Sequence, residues 1–294
     1  MSDNNICKIC GSTSGTIVHS RCRRVNDGRS FQYLACEDCG TLQLNETVDD
    51  IGSYYAQGYG AHSVDPDAAE VKPDLKKEAL MRFIVAARPL RKISYLQRKI
   101  PGLLLLCGTR VYKDKKILDV GCGNGRWLYD LHKCGYNKLT GCDLFAQKSY
   151  PGIDFRRTDI FGIDNEKFDL ITFHHSFEHM ENPIDVLGKA RELLDDDGML
   201  MIRIPVWKSR AWEMYGPDWY QLDPPYHFYL YTEKSLAYMC DKTGLRITET
   251  LYDSTPAQFC ISDRYNKTDL SYNEVSAPID RNEMENYRAL AYRV

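Results

Sequence analysis

"KKILDVGCGNGRWLYDLHKCG", residues 115–135, decides how this chain is read. Ile117-Leu118-Asp119-Val120 predicts a short buried strand. Gly121-Cys122-Gly123-Asn124-Gly125 predicts a tight turn, because glycines reach backbone conformations that side chains forbid. Residues 126–134 predict a helix, which Gly135 stops. "KLTGCDL", residues 138–144, predicts the next strand, with Asp143 at its carboxyl end. Strand, glycine turn, helix and strand open a doubly wound parallel sheet, whose ligands lie beyond the carboxyl ends of the strands. An acid 20 residues after Gly123 also suits a dinucleotide fold. The dinucleotide pattern is G-x-G-x-x-G, however, and here the glycines stand at 121, 123 and 125 with arginine at 126.

Further segments follow in order. "RRTDIF" (156–161) supplies Asp159 after a third short strand. "FDLITFHHSFEHMENP" (168–183) predicts a fourth strand and its loop. "VLGKARELLDDDGMLMIRIP" (186–205) predicts helix, turn and fifth strand, and "PPYHFYLYTEKSLAYMCDKTGLRI" (224–247) a proline-x-histidine segment and helix. "QFCISDRY" (258–265) is expected as the last strand. Together with the G-x-G-x-G turn after Asp119, these motifs resemble class I S-adenosylmethionine-dependent methyltransferases over about 113–265.

The resemblance implies an α/β fold, a doubly wound seven-stranded Rossmann-like sheet, and methyl transfer from S-adenosylmethionine. It implies cofactor contacts from Asp119, Gly121, Cys122, Gly123, Gly125, Asp143, Leu144, Asp159, Ile160 and His174. The glycines would let the backbone approach the methionine portion and ribose. Asp119 would order the turn and receive the cofactor amine. Asp143 would accept two ribose hydroxyls, as a carboxylate can. Asp159 and the Ile160 amide would meet the adenine. Loop capping by Asp143, and a plain strand-end acid at Asp159, stay open. Phe145 and Phe161 suit either an adenine sandwich or core packing.

Before this core stand two CxxC pairs, Cys7/Cys10 and Cys36/Cys39, each followed by glycine. A CxxC turn points two thiolates at one ion, and the glycine lets the chain curl back. Two such knuckles make a tetrahedral structural zinc site. The 25 residues between them can form a small ribbon, with "SFQYLAC" (30–36) as its return strand. The alternatives are a ribbon that has lost its metal and a redox CxxC, though the latter is expected beside a βαβ unit and none is nearby. Ribbon plus core resembles sugar methyltransferases of deoxysugar and surface-glycan pathways. The larger sugar C-methyltransferases carry an extra C-terminal domain, so a chain ending at Val294 points away from C-methylation.

The expected layout is a zinc-ribbon module at 1–48, a linker and basic helical segment at 49–112, the methyltransferase core at 113–265 and a tail at 266–294. The tyrosines of 49–72 predict that the linker lies against something. Within 73–99, Leu80, Phe83, Ile84 and Ala87 are expected on one helical face. The basic residues of that helix suit a solvated face or contact with an anionic substrate. An aromatic insert at about 206–230 suits a lid, with Trp207, Trp212, Tyr215, Trp219 and Tyr220 as walls, or packing against the 73–99 helix.

A net charge of −3 gives no overall pull toward nucleic acid, and no run approaches the 18 apolar residues of a membrane span. Eleven cysteines, with no signal-peptide core at the N-terminus, read as a reducing cytoplasmic setting. Asp223-Pro224-Pro225-Tyr226 resembles the tetrapeptide of base-amine methyltransferases, yet it falls beyond the fifth strand rather than after the fourth. His175, Glu178 and His179 match the HxxEH string of inverted zinc peptidases, but a strand ends before them and Pro183 opens the next helix. Glu178 and His179 are read as bracing the loop.

The expected reaction is methyl transfer to a hydroxyl of a sugar, nucleotide-linked sugar or glycan end. C- or N-methylation of a related metabolite, and RNA or protein methylation, are the other readings. A hydroxyl acceptor needs a base, and histidine titrates in a suitable range. Of His174, His175 and His227, the candidates for catalysis are His175 and His227, by position. Both can also be structural. The sequence leaves the oligomeric state open.

Overall fold

The computed structural model describes residues 5–23, 28–56, 75–87, 101–146, 150–252 and 254–267. In chain order the strands are β1 (Gly15–Arg21), β2 (Ser30–Cys36), β3 (Leu42–Leu44), β4 (Ile117–Val120), β5 (Leu139–Cys142), β6 (Asp154–Arg156), β7 (Phe168–His174), β8 (Leu194–Arg203) and β9 (Tyr229–Leu230). The helices are α1 (Ile51–Ala56), α2 (Leu75–Ala86), α3 (Pro101–Leu104), α4 (Arg126–His132), α5 (Pro183–Leu193), α6 (Arg210–Tyr215), α7 (Glu233–Lys242) and α8 (Ala257–Lys267). Two compact units result, one within Gly58–Phe177 and Gly188–Arg203, the other within Met1–Gln57, Glu178–Leu187 and Ile204–Val294.

The first unit is built on a parallel sheet of order β6-β5-β4-β7-β8. Strand β4 lies at its centre and is buried along its whole length, as a strand covered on both faces requires. Its one acid, Asp119, pairs in register with Thr172 of β7, whose hydroxyl donates to Asp119 Oδ1 at 2.7 Å. Leu118, Leu128, Leu131 and Leu170 are fully buried. Helix α2 adds Met81, Ile84 and Val85 to this core.

That face differs from the expected one. Ile84 is buried as predicted, but Leu80 and Phe83 are 37% and 69% exposed. Met81, Ile84 and Val85 keep the same i, i+3, i+4 spacing, rotated by one residue. Glu78 meets both Lys113, at 2.5 Å, and Arg82, at 3.6 Å. The rest of the basic segment, 88–99, lies outside the described residues, as do 57–72 of the linker and 268–294 of the tail.

The second unit is built on an antiparallel sheet, β1-β2-β3-β9. Strand β9 ends the aromatic insert, so the ribbon continues beyond the expected 1–48 module: Leu42 pairs with Leu230 and Gln43 with Tyr229. The linker tyrosines pack as expected where they are described. Tyr54 is buried against Phe31 and Tyr226, and Tyr55 stands 5.3 Å from the Tyr226 ring.

Two expectations are corrected here. Among the described residues the parallel sheet has five strands rather than seven, and residues 258–265 lie in α8 instead of a strand. Strand alternation would have placed Asp263 on one face with Phe259, Ile261 and Tyr265. The helix instead buries those three and lets Asp263 accept the Tyr215 hydroxyl at 2.8 Å. Of the five insert aromatics weighed as lid walls, Trp207 and Trp219 are buried, whereas Trp212, Tyr215 and Tyr220 are half-buried. Trp207 donates to the Gly40 carbonyl, Trp219 to Gln258 at 3.2 Å, and both are buried.

Leu118, fully buried in the central strand, sets a test of this core. Leu118→Ala is expected to cost about 2–5 kcal/mol of stability, read by denaturant unfolding. A loss well under 1 kcal/mol would show that β4 is not the centre of the packed sheet.

Candidate functional site

In the first unit, β4, β5 and β6 are neighbours and run in parallel. The segments after them therefore emerge at one edge. The turn after β4 is pinned by Gly121 N–H and Cys122 N–H, which donate to the Cys142 carbonyl at 2.8 and 3.1 Å. Gly123 N–H donates to Asp143 Oδ2 at 2.9 Å. Asp143 Oδ1 accepts the Phe145 and Ala146 amides, each at 2.8 Å. The carboxylate thus fastens the turn of one strand to the loop of the next. Gly125, at φ 78°, enters α4.

After β6, Asp159 Oδ1 accepts the Phe161 and Gly162 amides at 3.0 and 3.3 Å and starts a short 3-10 turn. Capping is thus a job that Asp143 and Asp159 both perform. Ile160 is buried, whereas Leu144, Phe145 and Phe161 are 51%, 37% and 46% exposed. Neither phenylalanine is fully buried. They leave apolar surface beside two carboxylates at the carboxyl edge of the sheet.

The end of β7 completes this side. The Ser176 hydroxyl donates to the Val120 carbonyl at 2.6 Å. The fit is close: a Cβ on Gly121, whose φ is +68°, would stand 2.5 Å from the Ser176 Cβ. His174 lies 4.3 Å from the Trp127 ring, and neither of its buried ring nitrogens has a hydrogen-bond partner among the described residues. Burial lowers its pKa to about 3, so the ring is neutral. His175 is exposed, with φ 52°, and its amide donates to the Arg203 carbonyl at 2.8 Å. Asp119 is 2% exposed, and burial raises its pKa to about 7 against the Thr172 hydrogen bond. Burial also pushes the Cys122 thiol well up.

The second unit holds two clusters of ligand-type side chains. Cys7, Cys10, Cys36 and Cys39 place their sulfurs within 4.8 Å of one another. Cys7 and Cys39 are 3.5 Å apart, and Cys10 and Cys36 3.6 Å. A tetrahedron of 2.3 Å zinc–sulfur bonds has edges of about 3.8 Å. The two knuckles match: Gly11 N–H donates to Cys7 O at 2.8 Å, and Gly40 N–H to Cys36 O at 3.2 Å. The Cys7 thiol lowers the Cys39 pKa, to about 5, by hydrogen bonding to it.

Glu178, His179 and His227 form the other cluster, again within 4.8 Å. His227 is 7% exposed, and burial lowers its pKa to about 4. Reading Glu178 and His179 as loop braces missed this convergence. An adjacent Glu-His pair was visible, but nothing in the sequence shows that His227, 48 residues on, returns to it. His175 and His227 belong to different units. Residues 175–179 are not one helix, since β7 ends at His174 and a 3-10 turn covers Phe177–His179. The Asp223–Tyr226 tetrapeptide lies beyond β8, the strand that follows β7, and leads into β9.

A family model described as "Methyltransferase domain" matches residues 93–250. The "Ubiquinone biosynthesis O-methyltransferase" of Actinobacillus pleuropneumoniae serotype 7 is 35% identical over 129 residues, which cover 38% of this chain and 50% of that protein. The protein of the same name from Roseobacter denitrificans is 28% identical over 122 residues, 37% of this chain and 49% of its own. The chain spans about half the length of these curated relatives. Among solved structures, the plantazolicin methyltransferase BpumL, in complex with a triazolic desmethylPZN analog and SAH, is 24% identical. It covers 57% of this chain and 68% of its own, with a TM-score of 0.32. PKMT2 from Rickettsia typhi, in complex with AdoHcy, is 23% identical, covers 36% of this chain and 23% of its own, and has a TM-score of 0.31.

Asp119 gives this site a pH signature. Its folded pKa, raised from 3.8 to about 7, means that the folded chain holds the proton more tightly than the unfolded one. The stability from that proton is complete below about pH 4 and is lost as pH rises through about 7. Thermal unfolding of wild type and Asp119→Asn across this window should diverge, with the variant losing less on going to high pH. Parallel curves would show that Asp119 does not titrate there.

Proposed function

The chain belongs to the methyltransferase domain family, and on that premise we propose that it binds S-adenosylmethionine at the carboxyl edge of β4, β5 and β6 and methylates a hydroxyl of a small acceptor. One observation carries the cofactor reading. Three neighbouring strand ends present a glycine turn, two carboxylates and exposed Leu144, Phe145 and Phe161. That combination fits a nucleoside whose ribose is polar and whose base is flat and apolar.

Asp143 would hold one ribose hydroxyl beside its three backbone amides, since a carboxylate offers about four acceptor sites. Asp159 and the Ile160 amide would meet the adenine edge, with Phe145 and Phe161 at its faces. Asp119, buried and shifted toward neutrality, would be stabilised as a carboxylate by the cofactor ammonium. The His174 ring nitrogens, buried without a partner among the described residues, suit a polar group of the bound cofactor. When bound, S-adenosylmethionine supplies an electrophilic methyl on a sulfonium, which needs little activation.

The proton of the acceptor hydroxyl then sets the protein's task. Among the candidate histidines we assign the base to His175. It is exposed and follows β7 directly, whereas His227 is buried with a pKa lowered to about 4, a weak base near neutrality. Oxygen as the accepting atom is supported by the names of the relatives, which call them O-methyltransferases. A sugar or nucleotide-linked sugar as acceptor rests on the resemblance of ribbon plus core to sugar methyltransferases. In the other unit, the four cysteines would hold one structural zinc, which their sulfur spacing fits.

Three measurements test this reading. A methyl-transfer screen over phenolic metabolites and nucleotide sugars, read by mass and then by NMR of the product, should place the methyl on oxygen; a methyl on carbon or nitrogen contradicts it. His175→Ala should slow single-turnover transfer by roughly 10²–10⁴-fold with cofactor affinity nearly unchanged, and an unaltered rate makes His175 structural. Elemental analysis should find zinc, one equivalent of which Cys7→Ser and Cys39→Ser remove; wild type without zinc, or variants that keep the full metal content, overturns the ribbon reading.

A further inference from the structure

We propose that Glu178, His179 and His227 form a second metal site, which takes a divalent transition ion such as Zn²⁺ through two imidazole nitrogens and one carboxylate oxygen. One ligand atom from each residue lies within 4.8 Å of the other two. The rings of His179 and His227 stand 4.7 Å apart, nearly edge to face at 75°.

The hydrogen bonds behind these rings set their tautomers. His179 Nδ1 lies 2.8 Å from the Tyr226 carbonyl, and His227 Nδ1 lies 2.8 Å from the Gln221 carbonyl. A carbonyl accepts only, so each Nδ1 carries the hydrogen and each Nε2 carries the lone pair. This is how metal-binding histidines are commonly held, with the far N–H fixed by a backbone or carboxylate oxygen.

The ligand-bearing segments are also tied to each other. Phe228 N–H donates to the Glu178 carbonyl at 2.9 Å, and the Tyr226 hydroxyl donates to the Tyr54 carbonyl at 2.9 Å. Tyr33, fully buried, donates to the His227 carbonyl at 2.9 Å. The Tyr55 hydroxyl lies 3.2 Å from His179 Nδ1 and its ring packs on His179. The side chains are therefore placed before any ion arrives.

Donor chemistry selects the ion. Two imidazoles with one carboxylate suit Zn²⁺, Co²⁺ or Fe²⁺, while Mg²⁺ and Ca²⁺ prefer oxygen ligands throughout. Glu178 is 0% exposed, and a buried carboxylate gains most from a positive charge at close range. Three protein ligands leave coordination positions for water or another oxygen, unlike a closed four-cysteine site. The inference rests on this cluster alone and not on the identity of the acceptor.

Cobalt separates the two sites on the full chain. After chelator stripping, Co²⁺ titration of wild type should show two ions. One should carry intense thiolate charge-transfer bands from Cys7, Cys10, Cys36 and Cys39. The other should bind with weak visible bands and no thiolate transition. Glu178→Gln and His227→Gln should each lose the second ion and keep the thiolate spectrum, which also reports that the ribbon is folded. The count on wild type stands without any variant. Wild type that binds Co²⁺ with thiolate bands alone, or variants that retain the second ion, overturn the proposal. A missing thiolate spectrum with the weak-band ion present sinks the four-cysteine reading and leaves this one supported.

Discussion

The pairing of β4 with β5 is the constraint on which the candidate site depends. The parallel register sets Val120 against Cys142, so the chain leaves both strands at the same level. The turn after β4 then donates to the Cys142 carbonyl, and the residue after Cys142 is the acid that receives Gly123 N–H at 2.9 Å. Removing that acceptor would leave a buried amide unsatisfied, at a cost of about 1–3 kcal/mol. Small residues are required on both sides of the junction. A Cβ on Gly141 would lie 2.7 Å from the Cys122 sulfur, and one on Gly121 would lie 2.5 Å from the Ser176 Cβ.

Each acid at this edge has a place in the fold that needs no ligand. Asp143 joins two loops, Asp159 begins a 3-10 turn and Asp119 takes the Thr172 hydroxyl inside the sheet. Such carboxylates are held in place without a ligand, so a nucleoside would meet a surface already arranged. Held groups bind more tightly because less ordering is left to do. The exposed Phe145 and Phe161 show where that surface remains apolar and open.

Much of this was legible in the sequence because it is local. Gly121, Gly123, Gly125 and Asp143 announce their turn and strand through spacing, and two CxxC knuckles announce a four-sulfur cluster. Long-range choices were not legible. The stretch 258–265 alternates well enough for a strand, yet burial of Phe259 and Tyr265 with Asp263 bonded to Tyr215 requires a helix. The α2 face shifted by one residue, since Leu80 and Met81 offer the same hydrophobic spacing. Trp207 and Trp219 read equally as lid walls or as packing residues because the sequence hides their bonds to Gly40 and Gln258. The approach of His227 to Glu178 and His179 depends on the path of the whole insert, which no local pattern encodes.

Calorimetric titration with S-adenosylhomocysteine tests the central claim most directly, because it needs no acceptor. The account predicts saturable binding at one site per chain, displaced by S-adenosylmethionine and indifferent to NAD. It also predicts weaker binding by Asp143→Ala under conditions where the variant remains folded. Absence of binding by folded wild type, or displacement by NAD, would contradict the assignment of the glycine turn and its three acids to this cofactor.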